Sequence, residues 1–385
     1  MSRAQIILRN APTHPWLPLA NHGQGLQSLS IIFLFQAFVA QLLVSEYLPE
    51  SAPLLVLEEP ETHLHPQAAR TLWTRIQDLP GQKVLSTHSP YFLQKAPFRS
   101  LRLVSMGQNG TEVQALPAAF SCEVPPNAAM QAIVTANPEL QYTPASSTLT
   151  VAGTLHEKIY RALLTAYGNH PDRAIVHAAL KDLEGRARRY VSNTELSALE
   201  TFARRIRGEI FFARRWFLVE GQAEFHLAQG LGRASGYNLD EHGVAVIDVQ
   251  NNGNPWIFAV LARALGIPWI AVFDGDSAGK KYQANMVRHG FDKNEVRSRC
   301  FCHAAGNLED QLLGDGIEQE LREILVKIGY PNALTIALAD VKQLLEKEKT
   351  SYTAELAARF ETDPNLAAKM PPLFRAAIAA LPQLK

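Results

Sequence analysis

Two aspartates close the apolar run in the stretch AVFDGDSAGKK, Ala271 to Lys281, and a turn of small residues separates them from two lysines. On an extended strand alternate side chains share a face, so Asp274 and Asp276 are expected to stand side by side. Neighbouring carboxylates repel one another unless a cation or a proton is shared between them. The chemistry that suits such a pair is the holding of a divalent ion by hard oxygen ligands.

Other acids fall in comparable places. Glu220 follows the apolar run WFLV, Asp248 lies in VAVIDV, and Asp274 and Asp276 follow WIAVF. A further run, RSRCFCHAAG, reads as a fourth strand, and GNLEDQLL just beyond it supplies Glu309 and Asp310. Glu224 lies one helical turn past Glu220 and is expected to share its face. Each acid has a plainer explanation. Glu220 and Glu224 would be favourable near a helix N-terminus, Asp274 and Asp276 are common turn formers, and Glu309 and Asp310 fit a wet helix face. What argues for a site is their joint recurrence at strand ends, where repulsion would be costly without counter-charge.

The elements that must position these groups alternate along the chain. WFLVEG, VAVIDV and WIAVFDGD read as strands, and WIFAVLARALG reads as a helix stopped by Gly266 and Pro268. That alternation predicts a parallel sheet flanked by helices, in which function gathers at the carboxyl ends of the strands. The N-terminal part repeats the pattern. PLLVLEEPE is a strand ending in acids, HPQAARTLWTRIQDL a helix with Pro66 in its first turn, and KVLSTHSP a second strand. Two short β pieces, LRLVSM and TEVQAL, follow.

From about Ser121 to Thr154 the prolines 125, 126, 138 and 144 and a Ser/Thr run predict a linker or packed excursion. Leu155 to about Arg215 is amphipathic and helical, and its basic clusters RARR and RRIR read as a solvated face or a DNA-facing stripe. After NLEDQLL the chain reads as helical to its end, and no internal repeat or low-complexity tract is found.

Composition bounds the function. Lys plus Arg equal Asp plus Glu at 37 each in 385 residues, so any attraction to nucleic acid or membrane must come from local patches. Cys122, Cys300 and Cys302 give an odd count without paired zinc-ligand spacing, which fits a reducing cytoplasm. MSRAQIILRNAPTHPW has no apolar core before a small-residue cleavage site, so a secretory signal is not expected. Leu29 to Val44 is strongly apolar but carries Gln36 and Gln41 and is short of the roughly 20 residues a bilayer requires. A helix buried on all sides is expected there, and no membrane contact.

LVEGQAE followed by VFDGDSAG resembles the Toprim domain shared by topoisomerases, bacterial primases and several nucleases. LLVLEEPETHLHP resembles the Walker B strand of ABC-type ATPases, STHSPYFL the histidine switch, and NHGQGLQSL a degenerate signature motif. Their order, with EIFFARRWFLVEGQAE leading into Toprim, resembles the OLD (overcoming lysogenization defect) nucleases. The implied fold class is α/β: residues 1–120 the C-terminal part of an ABC-type ATPase domain, 121–215 a linker and helical segment, 216–320 a Toprim catalytic domain, and 321–385 C-terminal helices.

The resemblance implies a metal-dependent DNA endonuclease using two Mg²⁺ or Mn²⁺ ions per site. Glu220, Asp274 and Asp276 would hold one ion, and Glu224 with either Glu309 or Asp310 the other. Asp248 is a weaker ligand, and Ser277 would add a hydroxyl. A C-terminal lysine would stand beside the phosphate; EKTSYTAELA makes it Lys349, with Lys347 as the substitute. Lys280 and Lys281 would touch DNA backbone phosphates.

In the ATPase part Gly23 and Gly25 would face a nucleotide phosphate, Glu58 a magnesium ion and Glu59 the attacking water, with His88 sensing the γ-phosphate. The string G-x-x-x-x-G-K-[ST] does not occur in this sequence, so ATP would serve only within a complete ATPase domain. The family's ATPase domains dimerise, which makes a homodimer the expectation. The competing expectations are a non-catalytic ABC/Toprim DNA-binding module, and a topoisomerase- or primase-like enzyme.

Overall fold

The apolar runs become strands in a computed structural model, which describes residues 6–9, 11–38, 53–107, 110–205, 208–249, 255–303 and 306–384. The chain forms two compact units, Met1–Ala96 with Ala203–Gly208, and Pro97–Phe202 with Glu209–Lys385.

In the first unit, β1 (Ile7–Leu8) pairs antiparallel with β2 (Leu17–Pro18), and α1 (Gln24–Phe38) follows. Next come β3 (Leu54–Glu58), α2 (Pro66–Gln77), β4 (Gln82–Ser86) and α3 (Pro90–Leu93). β3 and β4 are parallel, as the βαβ pattern requires, with Glu58 level with Ser86. Pro66 opens α2, where its missing N–H costs nothing. Ile32, Ala69, Leu72, Ile76 and Phe92 form the core. Phe33 and Leu34 remain 46% and 45% exposed, so α1 is not enclosed on all sides as expected. Residues 39–44 of that apolar run lie outside the described residues.

The second unit begins with an antiparallel hairpin, β5 (Leu103–Gly107) and β6 (Gly110–Gln114). The stretch read as a linker or a packed excursion folds. β7 (Phe120–Glu123), α4 (Ala128–Thr135), β8 (Leu140–Thr143) and β9 (Thr148–Val151) form an antiparallel sheet in the order β7-β9-β8 with a helix on it. Its prolines punctuate element ends: Pro144 opens a short 3-10 turn, and the Pro125 carbonyl accepts the Tyr167 hydroxyl at 2.6 Å. Val124, Met130, Leu149, Leu163, Tyr167 and Leu180 give this part its own core. Enough apolar surface was present to offset ordering it; the turn residues masked that surface in the sequence.

α5 (Glu157–Ala166), α6 (Arg173–Ala187) and α7 (Asn193–Arg205) follow. Within the RARR cluster Arg186 pairs with Asp182 at 2.7 Å and Arg188 with Glu184 at 2.5 Å, which favours a helix-bracing role over a DNA stripe. The side chains of the RRIR cluster lie outside those described.

The sheet that carries the acids then forms. β10 (Arg215–Val219), α8 (Gln222–Ala234), β11 (Val244–Asp248), α9 (Pro255–Ala264), β12 (Trp269–Phe273), α10 (Ser277–Arg288), α11 (Lys293–Arg299) and β13 (Cys300–Cys302) alternate as the sequence predicts. All four strands are parallel in the order β11-β10-β12-β13. Every residue of β12 is buried, the mark of a strand covered on both faces. The chain leaves β10 for β11 on one side and passes to β12 on the other, so a switch point lies at the carboxyl ends of β10 and β12.

α12 (Leu308–Gly314), α13 (Glu318–Lys327), α14 (Leu338–Lys347), α15 (Lys349–Thr362), α16 (Pro364–Ala368) and α17 (Pro372–Ala380) complete the unit. α15 lies directly against α8: a Cβ on Gly230 would stand 2.7 Å from the Ala357 Cβ. Only glycine lets the two helices approach so closely.

Candidate functional site

Glu220 and Asp274 follow directly on the two strands that flank the switch point, and they meet. The Asp274 backbone N–H donates to Glu220 Oε2 at 2.8 Å. The next turn is built tightly. A Cβ on Gly279 would lie 2.0 Å from the Asp274 carbonyl oxygen, so the first turn of α10 seats on that peptide only because position 279 is glycine. Asp276 is not beside Asp274 on a strand, as alternation predicted, because β12 ends at Phe273. It caps α10 instead, its Oδ1 accepting from the N–H groups of Ala278 at 2.8 Å and Gly279 at 3.0 Å.

Glu224 in the first turn of α8 is buried, and its Oε2 accepts from the Gly221 N–H at 3.0 Å. Glu309 in α12 is fully buried; its Oε1 accepts from the Tyr352 hydroxyl at 3.0 Å and lies 3.6 Å from Lys349 Nζ. The structure thereby separates the two pairs that sequence left open. Asp310 forms a capping box with Asn307 and an ion pair with Lys342 at 2.6 Å, away from the other acids. Lys347 turns to Tyr330, 3.3 Å from its hydroxyl. Glu309 and Lys349 are the members brought to the cluster. Asp248 ends the outer strand β11, level with Val219. Ser277, Lys280 and Lys281 are exposed along the first turns of α10.

Crowding shows in the titration. Burial, then the charges of Glu224, Glu220 and Glu309, push Asp274 up to about 8, against the pull of Lys349. Burial pushes Glu224 up to about 7, its backbone hydrogen bond opposes the rise, and Glu309 adds to it. Burial also raises Glu220, offset by the Asp274 amide. Asp274 Oδ1 and Glu309 Oε2 are buried without a hydrogen-bond partner.

Among the described residues no group of three or more His, Cys, Asp or Glu side chains already stands as a ligand set for one ion. Glu224 and Asp276 each commit an oxygen to a helix-capping N–H, Glu220 one to the Asp274 N–H and Glu309 one to the Tyr352 hydroxyl. The orphaned oxygens of Asp274 and Glu309, in a site rich in negative charge, nonetheless fit hard cations with oxygen ligands.

Three residues went unnoticed in the sequence. Tyr352 follows Lys349 by one helical turn, the one signal that could have flagged it. Tyr282 on α10 feels the charges of Glu220, Asp276 and Asp274, and no spacing rule marks it. His303, just after β13, is 4% exposed with both ring nitrogens unpartnered, and burial lowers it to about 4.

That histidine has a consequence for stability. Between the ordinary value of 6.5 and about 4, the unfolded chain holds a proton that the folded chain refuses, so stability rises with pH across that window. The urea midpoint is expected to fall as pH drops from 6.5 towards 4, and to fall less steeply in His303→Leu. Parallel slopes for the two proteins would show that the ring accepts its proton within the fold.

In the first unit Glu59 Oε1 and His88 Nε2 lie 3.2 Å apart. Glu59 adopts φ 41°, a strained conformation for a residue with a side chain. Glu58 is exposed at the end of β3, and Gly23 and Gly25 stand at the start of α1. Sequence reasoning passed over Glu61, a buried acid that accepts the Thr87 hydroxyl.

Residues 211–276 match the family model described as "Overcoming lysogenization defect protein-like, TOPRIM domain". Residues 19–121 match one described as "Protein of unknown function (DUF2813)". The chain is 25% identical over 239 residues to the uncharacterized protein YbjD of Escherichia coli, covering 62% of this chain and 30% of that protein. It is 23% identical over 273 residues to the OLD nuclease of Thermus scotoductus, covering 68% of this chain and 36% of that one. The chain thus spans about a third of the length of these curated relatives. Among solved structures, the C-terminal region of the Burkholderia pseudomallei OLD protein aligns over 45% of this chain and 98% of its own, with a TM-score of 0.37 and 19% identity. No helix among the described residues is long and apolar enough to cross a membrane.

Proposed function

From the match of residues 211–276 to the OLD-type Toprim model, we propose that this chain is an OLD-family, divalent-metal-dependent DNA endonuclease. The observation that carries this reading is the convergence of Glu220, Glu224, Asp274 and Glu309 at the switch point, with two buried carboxylate oxygens left without partners. Asp274, Glu220 and the nearby Asp276 would hold one cation, and Glu224 with Glu309 the second. Two such ions, when bound, would activate a water and stabilise the departing 3′ oxygen of an in-line displacement.

The chain's own residues supply the rest. Lys349 already balances Glu309 and acts on Glu220, Glu224 and Asp274. With those carboxylates neutralised, its ammonium is free to stand against the charge that builds on the phosphate. Lys280 and Lys281, exposed on α10 beyond Asp276, would position the DNA backbone without reading its sequence. Glu58, Glu59, His88, Gly23 and Gly25 would belong to a nucleotide site completed elsewhere. Its phosphate cradle needs a loop of backbone amides that this sequence lacks. The homodimer and the cytoplasmic setting are part of the same proposal.

Supercoiled plasmid incubated with Mg²⁺ or Mn²⁺ tests the reading. Nicked and linear products are expected, with none in EDTA. Closed relaxed topoisomers would instead indicate topoisomerase chemistry. A second reading, a DNA-binding module without chemistry, draws on the local capping of Glu224 and Asp276. It would be favoured by DNA retained unchanged in the presence of metal.

A further inference from the structure

We propose that Tyr352 is a positioning residue of the acidic site: its hydroxyl fixes Glu309 so that one carboxylate oxygen is turned to a divalent cation. The inference rests on the metal-site reading above and adds to it the residue that sets a ligand's orientation.

A fully buried phenol needs a partner for its hydroxyl. The other fully buried tyrosine among the described residues, Tyr167, donates to the Pro125 backbone carbonyl at 2.6 Å, and the partly buried Tyr330 donates to the Glu348 carboxylate at 2.6 Å. Tyr352 is 0% exposed and donates to a carboxylate that is itself fully buried, Glu309 Oε1, at 3.0 Å. Lys349 Nζ approaches the same oxygen at 3.6 Å. The other oxygen, Oε2, is buried and has no partner. One hydrogen bond and a nearby ammonium on Oε1 thus favour the orientation that leaves Oε2 as the atom offered to a ligand.

The placement is built by packing rather than by local sequence. Tyr352 and Lys349 lie one helical turn apart on α15 and reach Glu309 from the same face. α15 is seated against α8 at Gly230, and α8 carries Glu224 at its start. Groups that orient a metal ligand in this way are worth about 10- to 100-fold in metal affinity.

The test is a Mn²⁺ titration of the full chain without DNA, with free ion read by electron paramagnetic resonance. Wild type is expected to bind two ions. Tyr352→Phe keeps the ring in its cavity and loses only the hydroxyl. The weaker ion should then bind about 10- to 100-fold less tightly and the tighter one as before. Glu309→Gln should show the same defect, and the double variant should show no more, because both changes act through one oxygen pair.

A Tyr352→Phe protein that titrates like wild type overturns the proposal. So does a double variant with clearly greater loss than Glu309→Gln alone. If Tyr352→Phe does not fold, unchanged Mn²⁺ affinity in Glu309→Gln overturns it by itself. Wild type that binds no Mn²⁺ sinks the metal-site reading first and this inference with it, which tells the two failures apart.

Discussion

Asp274→Ala is expected to lower metal-dependent plasmid nicking by at least about a thousand-fold, on the order of 4 kcal/mol of transition-state stabilisation. No other acid in the cluster feels so many neighbours: burial and three carboxylates push Asp274 to about 8. Its Oδ1 is one of the cluster's two buried oxygens without a partner among the described residues. Folding should survive, since the backbone N–H that holds Glu220 belongs to the main chain and is kept in alanine. Removing a half-buried, unsatisfied carboxyl should leave the metal-free melting temperature unchanged or slightly higher. The control is Asp310→Asn, which is adjacent to Glu309 in sequence but pairs with Lys342 and should nick DNA within about twofold of wild type. Nicking retained by Asp274→Ala would remove the site from the mechanism.

Lys349→Met should lower the nicking rate by about 10²- to 10³-fold while DNA binding stays within a few-fold, because the lysine's charge is needed where the phosphate's charge develops. Lys347→Met, by contrast, is expected to be nearly silent. The two lysines are separated by one residue, yet Lys349 opens α15 beside Glu309 and Lys347 closes α14 against the Tyr330 ring. Lys349→Met should also weaken the restraint on the acids, leaving Asp274 and Glu224 still harder to ionise without metal. Single-turnover cleavage at saturating enzyme separates the rate from binding. Equal rates for the two lysine variants would dismiss the assignment.

Much of this site was legible before any coordinates. Apolar runs of four to five residues, each followed by an acid, are local patterns, and local patterns set strand and helix positions. The strands before Glu220 and Asp274 formed where periodicity put them, and Glu224 took the first-turn place its spacing implied. The Asp276 geometry was misjudged because alternation holds only while the strand lasts, and a helix cap claimed the residue first. The stretch 121–154 was left open between a linker and a packed excursion for a related reason: prolines mark ends of elements as readily as the absence of them.

Sequence alone determined that carboxylates would collect at the ends of parallel strands, since chain-local hydrophobicity and turn chemistry decide where a strand stops. Tertiary structure decided which of them meet. Glu309 rather than Asp310, Lys349 rather than Lys347, and the unforeseen Tyr352 were selected by the angle at which α12 and α15 dock on α8 and the sheet. Adjacent residues on a helix point about 100° apart, so Glu309 enters the cluster while Asp310 turns to Lys342, and the break between helices α14 and α15 parts Lys347 from Lys349. That choice depends on contacts far apart along the chain, and no window of sequence contains it.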